Sequence, residues 1–235
     1  MLNAIIHGKA GRVNSVSGED SISWKQLYQK REDLLTASFF TRFSYLSPVN
    51  QHRVLKHCFS GQGDFTEFEE IDYWPKYDLP EHEGRDFVEP DLLIKFKGFD
   101  LLVEVKPPQG GDQYINQWQL EIEGYLAQEI KIKPLKFLAI GRVDKVSDAE
   151  VNALKSKVND ERFMLASIKW KQIAVYIYNL LKSSPVDTQD KIILKDMLKS
   201  LNLYGVRGHD LYWSDMETYL INNNMQLEGI ETWIK

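Results

Sequence analysis

Residues 87–108 constrain the fold most, because they place charged side chains on strands that are otherwise apolar. The pattern predicts two strands, at 91–97 and 100–106, joined by a Lys-Gly-Phe turn whose glycine can supply the positive φ of a tight hairpin. Glu104 and Lys106 are two residues apart on the second strand, so both side chains point to the same face. Unpaired charges on a central strand are costly, which indicates that these residues serve a common purpose.

The chain has the composition of an ordinary soluble globular protein, with 235 residues, 43% hydrophobic and 27% charged. We expect a single domain spanning 1–235, with a core at about 23–182 and a helical C-terminal extension at about 183–235. We find no run of eighteen apolar residues and no signal-peptide pattern, and therefore expect a cytoplasmic protein without a membrane partner. The single cysteine, Cys58, excludes an intramolecular disulfide, and the five histidines lack the spacing of a zinc site.

The net charge of −5 argues against a protein that coats nucleic acid through bulk positive charge. Eleven acidic residues lie between Asp64 and Asp91. This acidity does not exclude a nuclease, because carboxylates that bind a metal ion make a catalytic cleft acidic.

Strands alternate with helices along the chain, after a leading helix. Hydrophobic periodicity predicts helices at 23–46, 51–60, 112–130, 147–158, 169–181, 188–201 and 214–222, and further strands at 65–74, 135–140 and 163–168. The basic segment around His7 is expected to form an N-terminal arm or a short hairpin. This order predicts an α/β layered fold with a mixed sheet.

The residue types on the hairpin match metal-assisted phosphodiester hydrolysis. Asp91 and Glu104 would lie on neighbouring strands, where two carboxylates can jointly hold Mg²⁺. Lys106 beside the ion could position or help to deprotonate a water, and could offset the charge that builds on a phosphate.

Pro90-Asp91, twelve residues, and then Glu104-Val105-Lys106 resemble the motif of the PD-(D/E)XK nuclease superfamily. The resemblance implies a restriction-endonuclease-like core, with three α/β/α layers around a mixed four- to five-stranded sheet. It also implies roles: Asp91 and Glu104 as metal ligands, the Val105 carbonyl as a third ligand and Lys106 as the catalytic lysine.

Two helices extend the resemblance on either side of the hairpin. The leading helix carries Glu32 at the flank of its apolar face, and the resemblance makes Glu32 an accessory acid. The helix at 112–130, with Asp112 as its expected N-cap, resembles the glutamine-bearing helix of the superfamily. Helical geometry favours Gln119 as the site glutamine, but a Gln-x-x-x-Glu-x-x-x-Tyr pattern beginning at Gln117 also resembles such sequences, and both residues remain candidates.

The resemblance implies a Mg²⁺-dependent DNA endonuclease, with Mn²⁺ as an alternative metal, that works in bacterial defence together with partner proteins. One alternative is a non-catalytic DNA-binding subunit of nuclease fold. The presence of the complete set Asp91, Glu104 and Lys106 argues against this alternative. Another is a junction nuclease of recombination or repair, although such proteins are normally more basic and dimeric. A homo-oligomer is compatible with each of these functions.

Overall fold

The computed structural model describes residues 2–14, 21–79, 86–128, 133–143, 146–158 and 160–209. The helices are α1 (Leu2–Ile6), α2 (Trp24–Lys30), α3 (Glu32–Ser44), α4 (Pro48–Cys58), α5 (Ile115–Ala127), α6 (Asp148–Val158), α7 (Trp170–Ser183) and α8 (Thr188–Leu203). The strands are β1 (Arg12–Asn14), β2 (Ser21–Ser23), β3 (Phe68–Tyr73), β4 (Tyr77–Asp78), β5 (Phe87–Val88), β6 (Leu92–Phe96), β7 (Asp100–Val105), β8 (Leu135–Ile140) and β9 (Met164–Ile168). The helix predicted at 214–222 lies outside the described residues.

A five-stranded sheet forms the middle layer, in the order β3-β6-β7-β8-β9. The pairs β3–β6 and β6–β7 are antiparallel, whereas β7–β8 and β8–β9 are parallel. The predicted mixed sheet of a three-layer α/β/α fold is therefore confirmed. β1 and β2 pair as a short N-terminal hairpin, but this hairpin lies after the basic segment around His7, which directly follows helix α1.

The alternation of side chains along β7 divides the core between the two faces of the sheet. Leu101 and Val103 contribute to a core cluster with α3, α4, α7 and α8. Leu102 contributes to a second cluster with Trp118 of α5 and Leu154 of α6. Every residue of β7 is buried, so this strand is central, as its sequence predicts.

Helix α8 belongs to the larger of these two core clusters. It packs against α3 and α7 and buries Leu194, Met197 and Leu201. The first helix of the predicted C-terminal extension is thus part of the core around the sheet. None of the described helices is long and apolar enough to cross a membrane.

The predicted continuous helix at 23–46 is wrong, because the chain breaks at Arg31. This residue is extended, with φ −118° and ψ 112°, and separates α2 from α3. The Tyr204 hydroxyl donates to the Arg31 carbonyl at 3.0 Å, so the break is held by a contact with the end of α8. As a result, Glu32 becomes the first residue of α3, where a negative charge interacts favourably with the helix dipole.

Candidate functional site

The antiparallel pairing of β6 and β7 stops just before the charged residues of the hairpin. Its last register pair is Leu92 with Val103, so Glu104 and Val105 extend beyond β6. The Asp91 carboxylate takes the place of a strand partner, since its Oδ2 accepts the Val105 N–H at 2.8 Å. In an extended strand the N–H and C=O of one residue point to the same neighbour, so the Val105 carbonyl also faces the Asp91 side.

Glu104 points from β7 towards α5 and is only 2% exposed. Its Oε1 accepts hydrogen bonds from the Lys106 ammonium and, at 2.7 Å, from the Gln117 amide. The candidate lysine and one candidate glutamine therefore converge on one oxygen of this carboxylate.

Glu121 is a third buried carboxylate at this position, and the sequence interpretation did not include it among the site residues. Gln117 donates to Glu121 Oε1 at 2.9 Å as well as to Glu104. Glu121 and Glu104 lie close enough to share a proton. The other oxygen of Glu121, Oε2, is buried and receives no hydrogen bond from the described residues.

We refer to Asp91, Glu104 and Glu121 as the carboxylate cluster. Burial, followed by the Glu104 charge, raises the pKa of Asp91 to about 8. Burial, followed by the Glu121 charge, raises the pKa of Glu104 to about 8, and burial raises the pKa of Glu121 to about 7. Three negative charges are therefore unfavourable together unless protons or a cation compensate them.

Lys106 supplies positive charge next to the cluster. Burial lowers its pKa, but the charge and hydrogen bond of Glu104 outweigh burial, and the net shift is upward. The amine is thus held in its charged form, which suits it to stabilise negative charge and does not suit it to accept a proton.

Glu32 lies at the margin of the cluster. It is half-buried at the start of α3, and its charge raises the pKa values of both Asp91 and Lys106. The structure thus brings Glu32 within electrostatic range of the hairpin residues.

The geometric preference for Gln119 over Gln117 is wrong. Gln119 donates to Glu123 at 2.6 Å and accepts from Lys157 at 2.9 Å, and neither partner belongs to the cluster. Helix α5 is rotated so that Gln117 and Glu121, four residues apart, face the sheet.

The start of α5 also differs from the prediction. Asp112 is not the N-cap, because the helix begins at Ile115 with Tyr114 in the capping position. Asp112 instead lies 3.6 Å from the Arg142 guanidinium.

Buried side chains fix the backbone at the end of β7. The Gln113 amide donates to the carbonyls of Glu104 (3.3 Å) and Ile140 (3.1 Å), and its own oxygen accepts the Trp118 indole N–H at 2.6 Å. The Trp170 indole donates to the Lys106 carbonyl at 2.9 Å. These contacts hold the backbone of Glu104 and Lys106 in position. Most of them join segments that are distant in sequence, so no local sequence pattern could predict them.

The donor set is compatible with a hard divalent cation. Within the described part of the chain, no three His, Cys, Asp or Glu side chains are arranged to hold a metal ion. Mg²⁺, however, usually binds through one or two carboxylates and keeps several waters. Asp91 and Glu104, with the Val105 carbonyl on the same side, supply oxygen ligands of that kind, and the unpaired Glu121 Oε2 leaves buried negative charge that a cation would compensate.

Comparisons with known proteins identify a relative but no activity. No family model matches the chain. Among solved structures, the crystal structure of the protein of unknown function AF1548 aligns with a TM-score of 0.31 at 10% identity, covering 76% of this chain and 97% of that one. Uncharacterized protein PM0110 of Pasteurella multocida (strain Pm70) is 30% identical over 229 residues, which is 91% of this chain and 83% of the relative. The chain therefore belongs to the same family as uncharacterized protein PM0110.

Proposed function

We propose that this protein is a Mg²⁺-dependent DNA endonuclease of the PD-(D/E)XK superfamily. The observation that supports this function most is the convergence of Asp91, Glu104 and Lys106 where β6 and β7 separate. These are the three residues that the sequence motif assigns to metal binding and catalysis.

Each residue of the site would have a distinct role. Asp91, Glu104 and the Val105 carbonyl would hold the ion, which when bound would polarise the scissile phosphate and lower the pKa of an attacking water. Lys106, kept cationic by Glu104, would stabilise the charge that develops on the phosphate oxygens. Gln117 would hold Glu104 and Glu121 in position by donating to both.

The biological setting follows from the resemblance and from the overall charge. We propose that the enzyme acts in the cytoplasm in bacterial defence, and that protein partners help it to engage DNA. A net charge of −5 provides little general attraction to nucleic acid, which favours recruitment by a partner.

A cleavage assay with a matched control tests this function. Supercoiled and linear DNA would be incubated with the protein in Mg²⁺, Mn²⁺ or EDTA, with and without the products of neighbouring genes. Glu104→Gln and Lys106→Ala should each reduce cleavage at least about 100-fold. The control, Asp100→Asn, changes a buried acid on the same strand whose carboxylate binds the Tyr125 hydroxyl, and it should retain activity within a few-fold.

The outcomes separate the candidate functions. If wild type, Glu104→Gln and Lys106→Ala behave identically under every condition, the enzyme proposal is wrong. DNA binding without cleavage in all of them would favour the non-catalytic subunit. Preferential cleavage of four-way junctions would favour the recombination or repair nuclease.

A further inference from the structure

A cleft of about 580 Å³ opens beside the residues that would perform the chemistry. Of the described residues that line it, four are cationic and none is acidic. The four are Arg142, Lys169, Lys171 and Arg207, and all are exposed. We call this site the basic cleft. Although the Asp112 carboxylate lies 3.6 Å from Arg142, the side chains that line the cleft carry a local excess of positive charge on a chain whose net charge is −5.

The basic cleft begins at the backbone of Lys106. Trp170, which lines it, donates its indole N–H to the Lys106 carbonyl. Gly141, which also lines it, packs so closely that an added Cβ would lie 2.5 Å from the same carbonyl oxygen. A ligand in the cleft would therefore lie next to the end of β7.

The cleft and α5 approach the end of the sheet from opposite faces. Trp170 belongs to the core cluster shared with α7 and α8, whereas Trp118 of α5 belongs to the other cluster. The carboxylate cluster thus has α5 on one side and the basic cleft on the other side of the sheet edge.

The turn that follows α8 forms one wall of the cleft and is firmly anchored. Its Tyr204 hydroxyl binds the Arg31 carbonyl, and Gln29 donates to the Leu203 carbonyl at 2.8 Å. Gly208 packs against α7, where an added Cβ would lie 2.7 Å from the Ala174 carbonyl oxygen. Arg207 therefore lies on a segment that these contacts hold in place.

Electrostatics indicates why such a cleft is needed. A nucleic-acid backbone is negatively charged, as the carboxylate cluster is once its carboxyl groups ionise, so nearby cations are needed to hold the backbone beside the cluster. Phosphate contacts from Lys and Arg supply most of the affinity that does not depend on base sequence.

We propose that the basic cleft binds the phosphodiester backbone of the nucleic acid and directs it across the sheet edge towards Glu104. This inference rests on the proposed function for the identity of the ligand. It assigns a substrate-binding role to Lys171 and Arg207, and through Arg207 to the segment after α8.

Binding experiments test the cleft independently of catalysis. A fluorescently labelled DNA duplex would be titrated in EDTA with wild type and with the double variant Lys171→Glu/Arg207→Glu. The matched control is Lys191→Glu/Lys195→Glu, which makes the same change in net charge at exposed α8 positions that do not line the cleft. Circular dichroism and thermal unfolding would verify that both variants are folded.

The cleft variant should lose at least about tenfold in affinity, and its slope of log K against log salt should fall by about 1.8, because two phosphate contacts are lost. The control should stay within about twofold of wild type. The inference would be overturned if both variants lost the same affinity for DNA. It would also be overturned if wild type did not bind DNA at low salt, or bound a mononucleotide as tightly as the duplex.

The two proposals fail separately. Cleft-dependent DNA binding without cleavage in any metal, with or without the products of neighbouring genes, would refute the nuclease proposal and support the cleft proposal. If Lys171→Glu/Arg207→Glu cleaves DNA and binds it as wild type does, the cleft proposal is refuted and the nuclease proposal stands.

Discussion

Replacing Glu121 with glutamine should stabilise the metal-free protein, and more strongly at alkaline than at acidic pH. Glu121 is 2% exposed, lies next to Glu104 and has one oxygen without a donor among the described residues. A glutamine of the same shape carries no charge, and its amide can donate to the Glu104 carboxylate. The substitution therefore removes a buried like-charge contact and leaves the packing intact.

The magnitude follows from the pKa of Glu121, which burial raises from 4.5 to about 7. The folded protein binds this proton more tightly than the unfolded chain does, so ionisation penalises folding above pH 4.5, and the penalty grows until about pH 7. At 1.36 kcal/mol per pH unit, it reaches about 3 kcal/mol at about pH 8 and only about 1 kcal/mol at about pH 5. Glu121→Gln should remove most of this penalty.

Urea unfolding in EDTA at about pH 5 and about pH 8 measures the effect. The free energy of unfolding of Glu121→Gln should exceed that of wild type by about 2 kcal/mol more at the higher pH. The control is Glu123→Gln, on the same helix but outside the cluster, where the change should stay within about 0.5 kcal/mol at both pH values. If Glu121→Gln has the same effect at both pH values, ionisation of Glu121 does not destabilise the folded protein, and the reasoning is refuted.

Three further outcomes are expected. Gln117→Ala should reduce DNA cleavage about 10- to 100-fold, because it no longer holds the cluster carboxylates, while Gln119→Ala should remain close to wild type in the same assay. Gly141→Ala should destabilise the protein by more than about 2 kcal/mol in urea unfolding, because φ is +126° and the Cβ would clash with the Lys106 carbonyl. Gly61→Ala, at φ +84° in open space, should cost only about 1 kcal/mol, and equal costs would contradict the clash. Mg²⁺ should raise the melting temperature more at about pH 8 than at about pH 6, because it competes with protons on carboxyl groups whose pKa values are about 7 to 8. Scanning calorimetry would measure this shift, and shifts of equal size at the two pH values would contradict metal binding at the cluster.

Local patterns in the chain were sufficient to predict the central hairpin and most of the layers around it. Strands β6 and β7 follow from short apolar runs on either side of a glycine turn, and the pairing of adjacent segments needs no distant contact. The cap of α2 is also local, since the Ser23 hydroxyl accepts the N–H of Gln26, three residues later. The same short-range order brings Asp91 close to Glu104 and Lys106, because a hairpin joins them.

The remaining features depend on contacts between distant segments. The break at Arg31 is not predictable from the local sequence, because no glycine or proline lies there. It is held by the hydrogen bond from Tyr204 at the end of α8. The orientation of α5 could not be predicted from hydrophobic periodicity, which places apolar residues in the core. This helix instead buries Glu121 and leaves Leu126 43% exposed.

The amino-acid sequence by itself therefore determined the strands of the hairpin and the three charged residues on it, because both depend on neighbours along the chain. Only the tertiary structure decided that Glu121 joins the carboxylate cluster and that Gln117 donates to two of its members, since both depend on the rotation of α5 against the sheet. The basic cleft likewise exists only in three dimensions. Its cations, Arg142, Lys169, Lys171 and Arg207, come from segments after β8, at the start of α7 and after α8, and the parallel strand order and the docking of α8 bring them together.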